Sequence, residues 1–282
     1  MRACVLVLLS VVCAAGQPVE KALQFLAGEV EAWERDNHCY SCHNNGDGAR
    51  ALMMAGRGLD AGTLAWLESP QQWDQKAKSP GASDLKLARL QFFVAAAAAK
   101  RAGLTGRADS LREAERMVVS DQGSDGCWVV DTGELAGGPV TWGTSLATAL
   151  VYRSLSEGQQ EARKRAASCL QQKVGGFVVD LAARVLAFPT DTAAAQTLLA
   201  AQGSDGGWGV RAKRPAEVFD TAIALLALGG KNAKAHEFLL GRQLENGSWP
   251  ETTRPAGAQS YAHAISTSAW AAMALLASRP AR

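Results

Sequence analysis

The sequence QGSDGCW at residues 122–128 recurs as QGSDGGW at residues 202–208 and as QLENGSW at residues 243–249. In each copy a Gln precedes a Trp by six residues, and a Gly stands two residues before the Trp. A weaker copy, QQKVGGF, spans residues 171–177 and has Phe in place of Trp. We call these four segments the Gln/Trp loops. Because they recur at intervals of about 40 residues, the chain is predicted to consist of repeated structural units.

The segments between these loops alternate in character. Residues 107–120, 157–172 and 231–243 are charged and have one apolar stripe, whereas residues 144–155, 219–228 and 266–277 are small or apolar nearly all round. A helix with one apolar stripe lies at a surface, and a helix that is apolar all round is buried. The pattern therefore predicts outer and inner helices in antiparallel pairs, stacked into a solenoid or a closed ring.

The Gln/Trp loops resemble the QW repeats of squalene–hopene cyclases, oxidosqualene cyclases and related prenyltransferase-like proteins. The resemblance covers residues 85–278 and implies an all-α fold, an α/α toroid in which helical hairpins form a barrel. In that family the loops join outer to inner helices, with the Gln amide bonded to a helix end beside the Trp ring. We expect a targeting segment at residues 1–16, then N-terminal helices at 17–60 and the ring at 61–282, the last two forming one continuous domain.

The resemblance also implies where cyclase chemistry would lie. The family's cyclases protonate an alkene with the middle acid of an Asp-x-Asp-Asp-Thr-Ala motif, and the matching stretch here is EVFDTA at residues 217–222. Phe219 stands at the position of the proton donor, and Asp220 is the acid that remains. Bracing a helix start is the commoner role of an Asp in this position, so Asp220 is a weak catalytic candidate. A squalene or polyprenyl cyclase, or a binding module for a lipid or protein, is the alternative function.

The segment CYSCH at residues 39–43 resembles the haem attachment site of c-type cytochromes. Thiols at i and i+3 can add to the two haem vinyl groups while the adjacent imidazole reaches the iron. The resemblance implies haem c attached to Cys39 and Cys42, with His43 as an iron ligand and His38 or Met54 as candidates for the second. A Cys39–Cys42 disulfide or another metal site remains open. The leading hypothesis is a haem protein for electron transfer or sensing, with a redox partner and an apolar or isoprenoid ligand in the ring.

The first sixteen residues are typical of a signal peptide. Arg2 precedes an apolar run at residues 3–12, and small residues follow at 13–16. The run is too short to span a bilayer, so we expect an exported chain without a membrane span; a lipid anchor at Cys13 is a weaker alternative.

With 29 Lys and Arg against 27 Asp and Glu, the chain offers no basic surface for nucleic acid. Cys127 and Cys169 are predicted as buried thiols or as a pair.

Overall fold

The computed structural model describes residues 3–78, 85–130, 136–173, 175–254 and 256–278, with side chains from residue 17 onward except 75–78. Within these ranges the chain is helical, without strands, and has one isolated antiparallel bridge between Trp208 and Glu217. The predicted all-α class is therefore confirmed. The predicted signal peptide lies outside the residues whose side chains are described. The helices are α1 (Ala3–Asn37), a π-helix (Cys42–Gly48), α2 (Ala49–Met54), α3 (Ala61–Leu67), a 3-10 helix (Pro70–Lys78), α4 (Leu85–Arg101), α5 (Ala108–Ser120), α6 (Thr144–Ser154), α7 (Gln160–Gln172), α8 (Val178–Ala187), α9 (Thr192–Ala200), α10 (Val218–Ala227), α11 (Ala233–Leu240) and α12 (Tyr261–Leu276).

The helices form two concentric rings. The π-helix with α2, then α4, α6, α8, α10 and α12, make the inner ring, and α12 packs back against the π-helix and α2 to close it. Outside them lie α1, α3 with the 3-10 helix, α5, α7, α9 and α11, each against an inner helix. The predicted toroid is confirmed. None of the helices in the described part of the chain is both long and apolar enough to cross a membrane.

Side-chain size explains which helices lie inside. In α12 every residue from Ile265 to Leu276 is buried, and most of them are Ala, Ser, Thr or other small residues. Small residues let inner helices approach one another on both sides, whereas α5 buries only one stripe, at positions 110, 114, 115 and 118. The alternation of charged and apolar segments in the sequence therefore distinguishes the outer helices from the inner helices.

Each of the three Trp-containing loops joins one outer helix to the next inner helix. The indole nitrogens of Trp128, Trp208 and Trp249 donate at 2.7 Å to main-chain oxygens ten residues earlier, those of Val118, Leu198 and Leu239. The main-chain nitrogens of the same three residues donate to hydroxyl groups on the following inner helix, at Thr148, Thr221 and Ser268. Every indole is buried, so each of these bonds satisfies a group that water cannot reach.

The Gln of each of the three Trp-containing loops reaches the next outer helix. The amide nitrogen of Gln122 donates to the carbonyl of Ala162 at 2.9 Å, and that of Gln202 to the side-chain oxygen of Asn232 at 3.1 Å. Gln243 makes the equivalent bond to the carbonyl of Pro18 at 2.8 Å. The last loop is thus tied to the first outer helix, and the amide bonds close the outer ring.

Glycine is required where these loops pass the next outer helix. Gly206 and Gly247 have φ values of +86° and +91°. A Cβ at Gly206 would lie 2.6 Å from the carbonyl oxygen of Lys234, and one at Gly247 would lie 2.5 Å from that of Lys21. Any other residue would be strained and would push the outer helix away.

The fourth loop, at residues 171–177, lacks these bonds. Gln171 is exposed, and Phe177 has no indole nitrogen to donate. The guanidinium group of Arg211 instead lies 3.7 Å from the centre of the Phe177 ring, and the main-chain nitrogen of Val178 donates to the carbonyl of Val210. The α7–α8 connection is therefore held by the neighbouring loop.

A disulfide joins Cys127, in the first loop, to Cys169 on α7, with 5.6 Å between their Cα atoms. Of the two alternatives that the sequence left open, the pair is therefore the correct one, and the expectation of buried single thiols is wrong. The long-range packing of the loop against α7 brings the two residues together, and separation along the chain could not show this.

Candidate functional site

A buried ion pair lies near the loop-bearing rim of the inner ring. Asp220, in the first turn of α10, is fully buried, and its Oδ2 contacts the guanidinium group of Arg254, which also pairs with Glu217 at 3.1 Å. Burial, with a contribution from Glu217, raises the pKa of Asp220 to about 8 although Arg254 opposes the shift. This contact joins Asp220 to Arg254, and the role of Asp220 in bracing the helix start stays a prediction. Arg254, its partner, carries no local sequence signal.

The start of the first inner helix holds a second buried acid. Asp47 lies in the π-helix, where its Oδ1 is 3.1 Å from Nη1 of Arg50 and its Oδ2 accepts a hydrogen bond from the hydroxyl of Ser266 at 2.9 Å. Burial raises the pKa of Asp47 to about 6, against the attraction of Arg50. The same hydroxyl lies 3.2 Å from Nδ1 of His43, so the imidazole, Ser266 and Asp47 form one chain of contacts.

Aromatic side chains fill the ring's centre between these two acids. Trp270 meets the rings of Trp142 and Phe219 edge-on, each at 6.0 Å between centroids. Arg50 lies over Trp142 at 5.4 Å and over Trp270 at 4.9 Å. Trp142 has a φ of +61°, which is strained for a bulky residue and costs roughly 1–3 kcal/mol. We call Trp142, Phe219 and Trp270 the aromatic cluster.

A cavity of about 500 Å³ lies at the other end of the inner ring. It is lined by the C-terminal halves of all six inner helices, each of which contributes an apolar side chain. Pockets of roughly 300–1,000 Å³ hold small organic ligands. Arg50, Arg101 and Arg153 line the same cavity. The apolar lining residues are Met53, Val94, Leu150, Leu186, Leu226 and Met273.

The Cys39–His43 segment connects outer helix α1 to the π-helix. Cys39 and Cys42 are half-buried, and no disulfide joins them. The Sγ of Cys42 lies 3.7 Å from Nε2 of His43. The side-chain nitrogen of Asn44 donates to the carbonyl of Glu29 on α1, and that of Asn45 donates to the hydroxyl of Thr63 on α3, so the segment is anchored to two outer helices. The structure therefore brings both thiols and the imidazole to one rim.

The two candidates for a second iron ligand lie in different places. His38 is exposed and follows the last turn of α1. Met54 ends α2, eleven residues beyond His43, which places it roughly 15 Å along the helix axis. It lines the arginine-bearing cavity. A second iron ligand at His38 or Met54 stays a prediction. In the described part of the chain no group of three or more His, Cys, Asp or Glu forms a metal cluster.

Solved structures share this arrangement of two rings. A crystal structure of a protein from Actinoplanes superposes with a TM-score of 0.58 and 16% identity, covering 94% of this chain and 100% of the other. The type II terpene cyclase MstE from Scytonema superposes with TM-scores of 0.56 in complex with its product merosterolic acid A and 0.55 in complex with its substrate geranylgeranyl dihydroxybenzoate. The chain has a terpene cyclase-like fold. In both complexes the match covers 93% of this chain and 96% of the cyclase, at 16% identity.

At this identity the likeness establishes the fold alone. No protein-family model and no curated protein sequence matches the chain. What the cyclase binds therefore bears on this protein only together with the side chains that line its own cavity.

Most of the polar residues inside the ring could not be predicted from the sequence. Arg254, Asp47, Ser266 and the cavity arginines are far apart in the chain and follow no short motif. One local signal was available: Arg101 lies just after the apolar run at residues 92–99 of α4, and Arg153 lies in the last turn of the small or apolar helix α6. A charged residue at the end of a buried helix marks a place where the ring interior reaches water.

Proposed function

We propose that this protein binds an apolar, isoprenoid-class molecule in the cavity of its ring, without protonating it as the cyclases do. The observation that carries the proposal is the composition of the wall, to which each inner helix contributes an apolar side chain. A pocket built in this way recognises shape and apolar surface. That a cyclase of the same fold has a geranylgeranyl substrate supports this ligand class.

Three observations speak against cyclase activity. Phe219 occupies the position of the proton donor, Asp220 is engaged by Arg254, and Asp220 is not among the residues that line the cavity. A general acid must reach the alkene that it protonates. We therefore expect no cyclised product from squalene or geranylgeraniol, as measured by gas chromatography with mass spectrometry. A cyclic product that disappears in Asp220→Asn would establish the cyclase alternative.

Equilibrium dialysis with labelled geranylgeraniol tests the binding proposal. The protein should bind one molecule per chain, and Leu150→Trp should abolish binding because the larger side chain occupies the cavity. Leu240→Trp, on the exposed side of α11, is the matched control and should bind as the unsubstituted protein does. Absence of binding, or equal binding by both variants, would refute the proposal.

A covalent haem at the loop-bearing rim is a second candidate. Its support is that Cys39, Cys42 and His43 stand together at this rim, and that the Ser266 hydroxyl contacts His43 Nδ1. A hydrogen bond of this kind orients an imidazole that ligates a metal. The donor set fits haem c: Cys39 and Cys42 would hold the macrocycle and His43 the iron, and the haem would supply electron transfer, which requires a redox partner.

The haem candidate is tested by producing the chain with a cytochrome c maturation system. We expect a Soret band and haem staining that survives denaturation, and Cys39→Ser together with Cys42→Ser should remove both. The control is Cys127→Ser together with Cys169→Ser, which should leave the Soret band and the haem staining unchanged. A colourless product with both thiols intact would end this candidate.

We propose, finally, that the chain is exported and cleaved near Gly16. The Cys127–Cys169 disulfide supports an oxidising compartment. The amide of Gln243 bonds to Pro18, inside α1, as the other loops bond to the starts of their outer helices, so the part of α1 that packs on the ring begins near this residue. N-terminal sequencing of the natively produced protein tests this, and retention of residues 1–16 would contradict it.

A further inference from the structure

Two arginines stand together at one end of the apolar cavity. Arg101 lies in the last turn of α4 and Arg153 in the last turn of α6, the neighbouring inner helix. Both side chains line the cavity and reach solvent at its mouth, while Arg50 lines it from the inner end. No Asp or Glu is among the lining residues. The cavity thus combines an apolar wall with an excess of positive charge.

The structure assigns these two guanidinium groups no internal partner. Arg50 pairs with Asp47, and elsewhere Arg89 pairs with Asp74 and Asp121. For Arg101 and Arg153, by contrast, no hydrogen bond or ion pair is formed with any residue in the described ranges. Glu115, which lines an adjoining groove with Arg101, instead accepts hydrogen bonds from the main-chain nitrogen and hydroxyl of Ser156.

Capping of the helix ends does not explain the presence of Arg101 and Arg153 either. Arginine in a last turn often satisfies terminal carbonyls. At the end of α6 that role belongs to Arg163 of α7, whose Nη1 donates to the carbonyls of Tyr152 and Leu155, each at 2.9 Å. At the end of α4, the main-chain nitrogens of Gly103 and Leu104 satisfy the carbonyls of Lys100 and Ala99.

The two positive charges also act on each other. Burial lowers the pKa of Arg101, and the charge of Arg153 lowers it further. Burial lowers the pKa of Arg153 as well. Both groups remain charged at neutral pH, because arginine starts from so high a value. An anion between them would relieve this repulsion.

We propose that Arg101 and Arg153 hold the anionic head group of an isoprenoid-class amphiphile, a phosphate, diphosphate or carboxylate, while its apolar chain extends into the cavity. The proposal rests on the proposed function and narrows its ligand class. A guanidinium group offers paired donors that match the oxygens of phosphate and carboxylate. The head group lies at the mouth and the chain points towards Arg50.

The test compares the dissociation constants of geranylgeraniol, geranylgeranyl diphosphate and inorganic pyrophosphate, measured with the full chain under one detergent condition. We expect the diphosphate to bind at least roughly tenfold more tightly than the alcohol, the effect of one or more charged hydrogen bonds. Arg101→Gln combined with Arg153→Gln should lower the diphosphate affinity to that of the alcohol and leave alcohol binding within about twofold. Arg116→Gln, on the exposed face of α5, should preserve the preference.

The outcomes separate this proposal from the one on which it rests. Equal affinity for alcohol and diphosphate, or a preference that survives the double substitution, would overturn the head-group site and leave apolar binding intact. Pyrophosphate that binds as tightly as the prenylated diphosphate would indicate a site for free phosphate. It would refute the proposal that the ligand is an amphiphile. If neither the alcohol nor the diphosphate binds, the proposed function fails together with this inference.

Discussion

The side-chain nitrogen of Gln243 lies 2.8 Å from the carbonyl oxygen of Pro18, a residue 225 positions earlier in the chain. This bond joins the last Gln/Trp loop to the first outer helix. The same nitrogen lies 2.9 Å from the carbonyl of Gly247, so one amide holds the shape of the loop and closes the outer ring. A single side chain therefore contributes both to the closure of the outer ring and to the geometry of the loop.

Replacing that side chain should weaken the whole ring. Gln243→Ala removes two hydrogen bonds at a partly buried site, and we expect the free energy of unfolding to fall by about 2 kcal/mol. Urea unfolding followed by circular dichroism measures the change. Gln172→Ala is the control, because the amide of Gln172 bonds only to Ser168 of its own helix. Equal effects of both substitutions would show that closure contributes nothing.

The indole nitrogens of the loops should each stabilise the fold. Trp208→Phe removes the indole donor from the carbonyl of Leu198, which keeps the main-chain nitrogen of Ala201 as a donor at 3.2 Å, and we expect a loss of roughly 0.5–1.5 kcal/mol beyond the effect of the smaller ring. Trp66→Phe is a matched control, because the buried indole nitrogen of Trp66 has no hydrogen-bond partner among the described residues. Thermal and urea unfolding of the two variants should differ by this amount; identical losses would contradict the role given to the indole nitrogen.

The Cys127–Cys169 disulfide should stabilise the ring and be resistant to alkylation. Its partners are 42 residues apart, and a loop of this size predicts a contribution of about 4 kcal/mol through the unfolded state. Cys127→Ser together with Cys169→Ser should lose most of it. In the protein made without haem maturation, iodoacetamide should modify Cys39 and Cys42 and leave Cys127 and Cys169 unmodified. A Cys39–Cys42 disulfide, seen by mass spectrometry, would contradict this assignment.

Asp47 should make stability depend on pH. Because burial raises its pKa from 3.8 to about 6, the folded state holds this proton more tightly than the unfolded state. The contribution of Asp47 is complete below pH 4 and is lost as the pH rises to about 6, by about 3 kcal/mol. Asp47→Asn should remove this decline in the free energy of unfolding and leave the rest of its pH dependence unchanged. Urea unfolding at pH 4, 5, 6 and 7 measures it, and parallel profiles for both proteins would contradict the shift.

The repeated loops were enough to predict the ring. Gln202 and Trp208 stand in a short motif that makes equivalent contacts in all three Trp-containing loops, and the change from charged to apolar segments gives the order of the two layers. Local patterns of this kind predict local structure well. The function lies in residues without such patterns: Arg254 meets Asp220, and Arg101 meets Arg153, only because neighbouring units of the ring pack side by side. Those pairs depend on tertiary packing.

The proposed function requires that the ligand lie inside the ring. A diazirine-bearing geranylgeraniol, activated by light and followed by peptide mass spectrometry, reports which side chains surround the bound chain. We predict adducts on the inner-helix peptides that contain Leu150, Leu186, Leu226 and Met273, and their loss in Leu150→Trp. Adducts confined to the outer helices, or a pattern unchanged in that variant, would contradict a ligand site inside the ring.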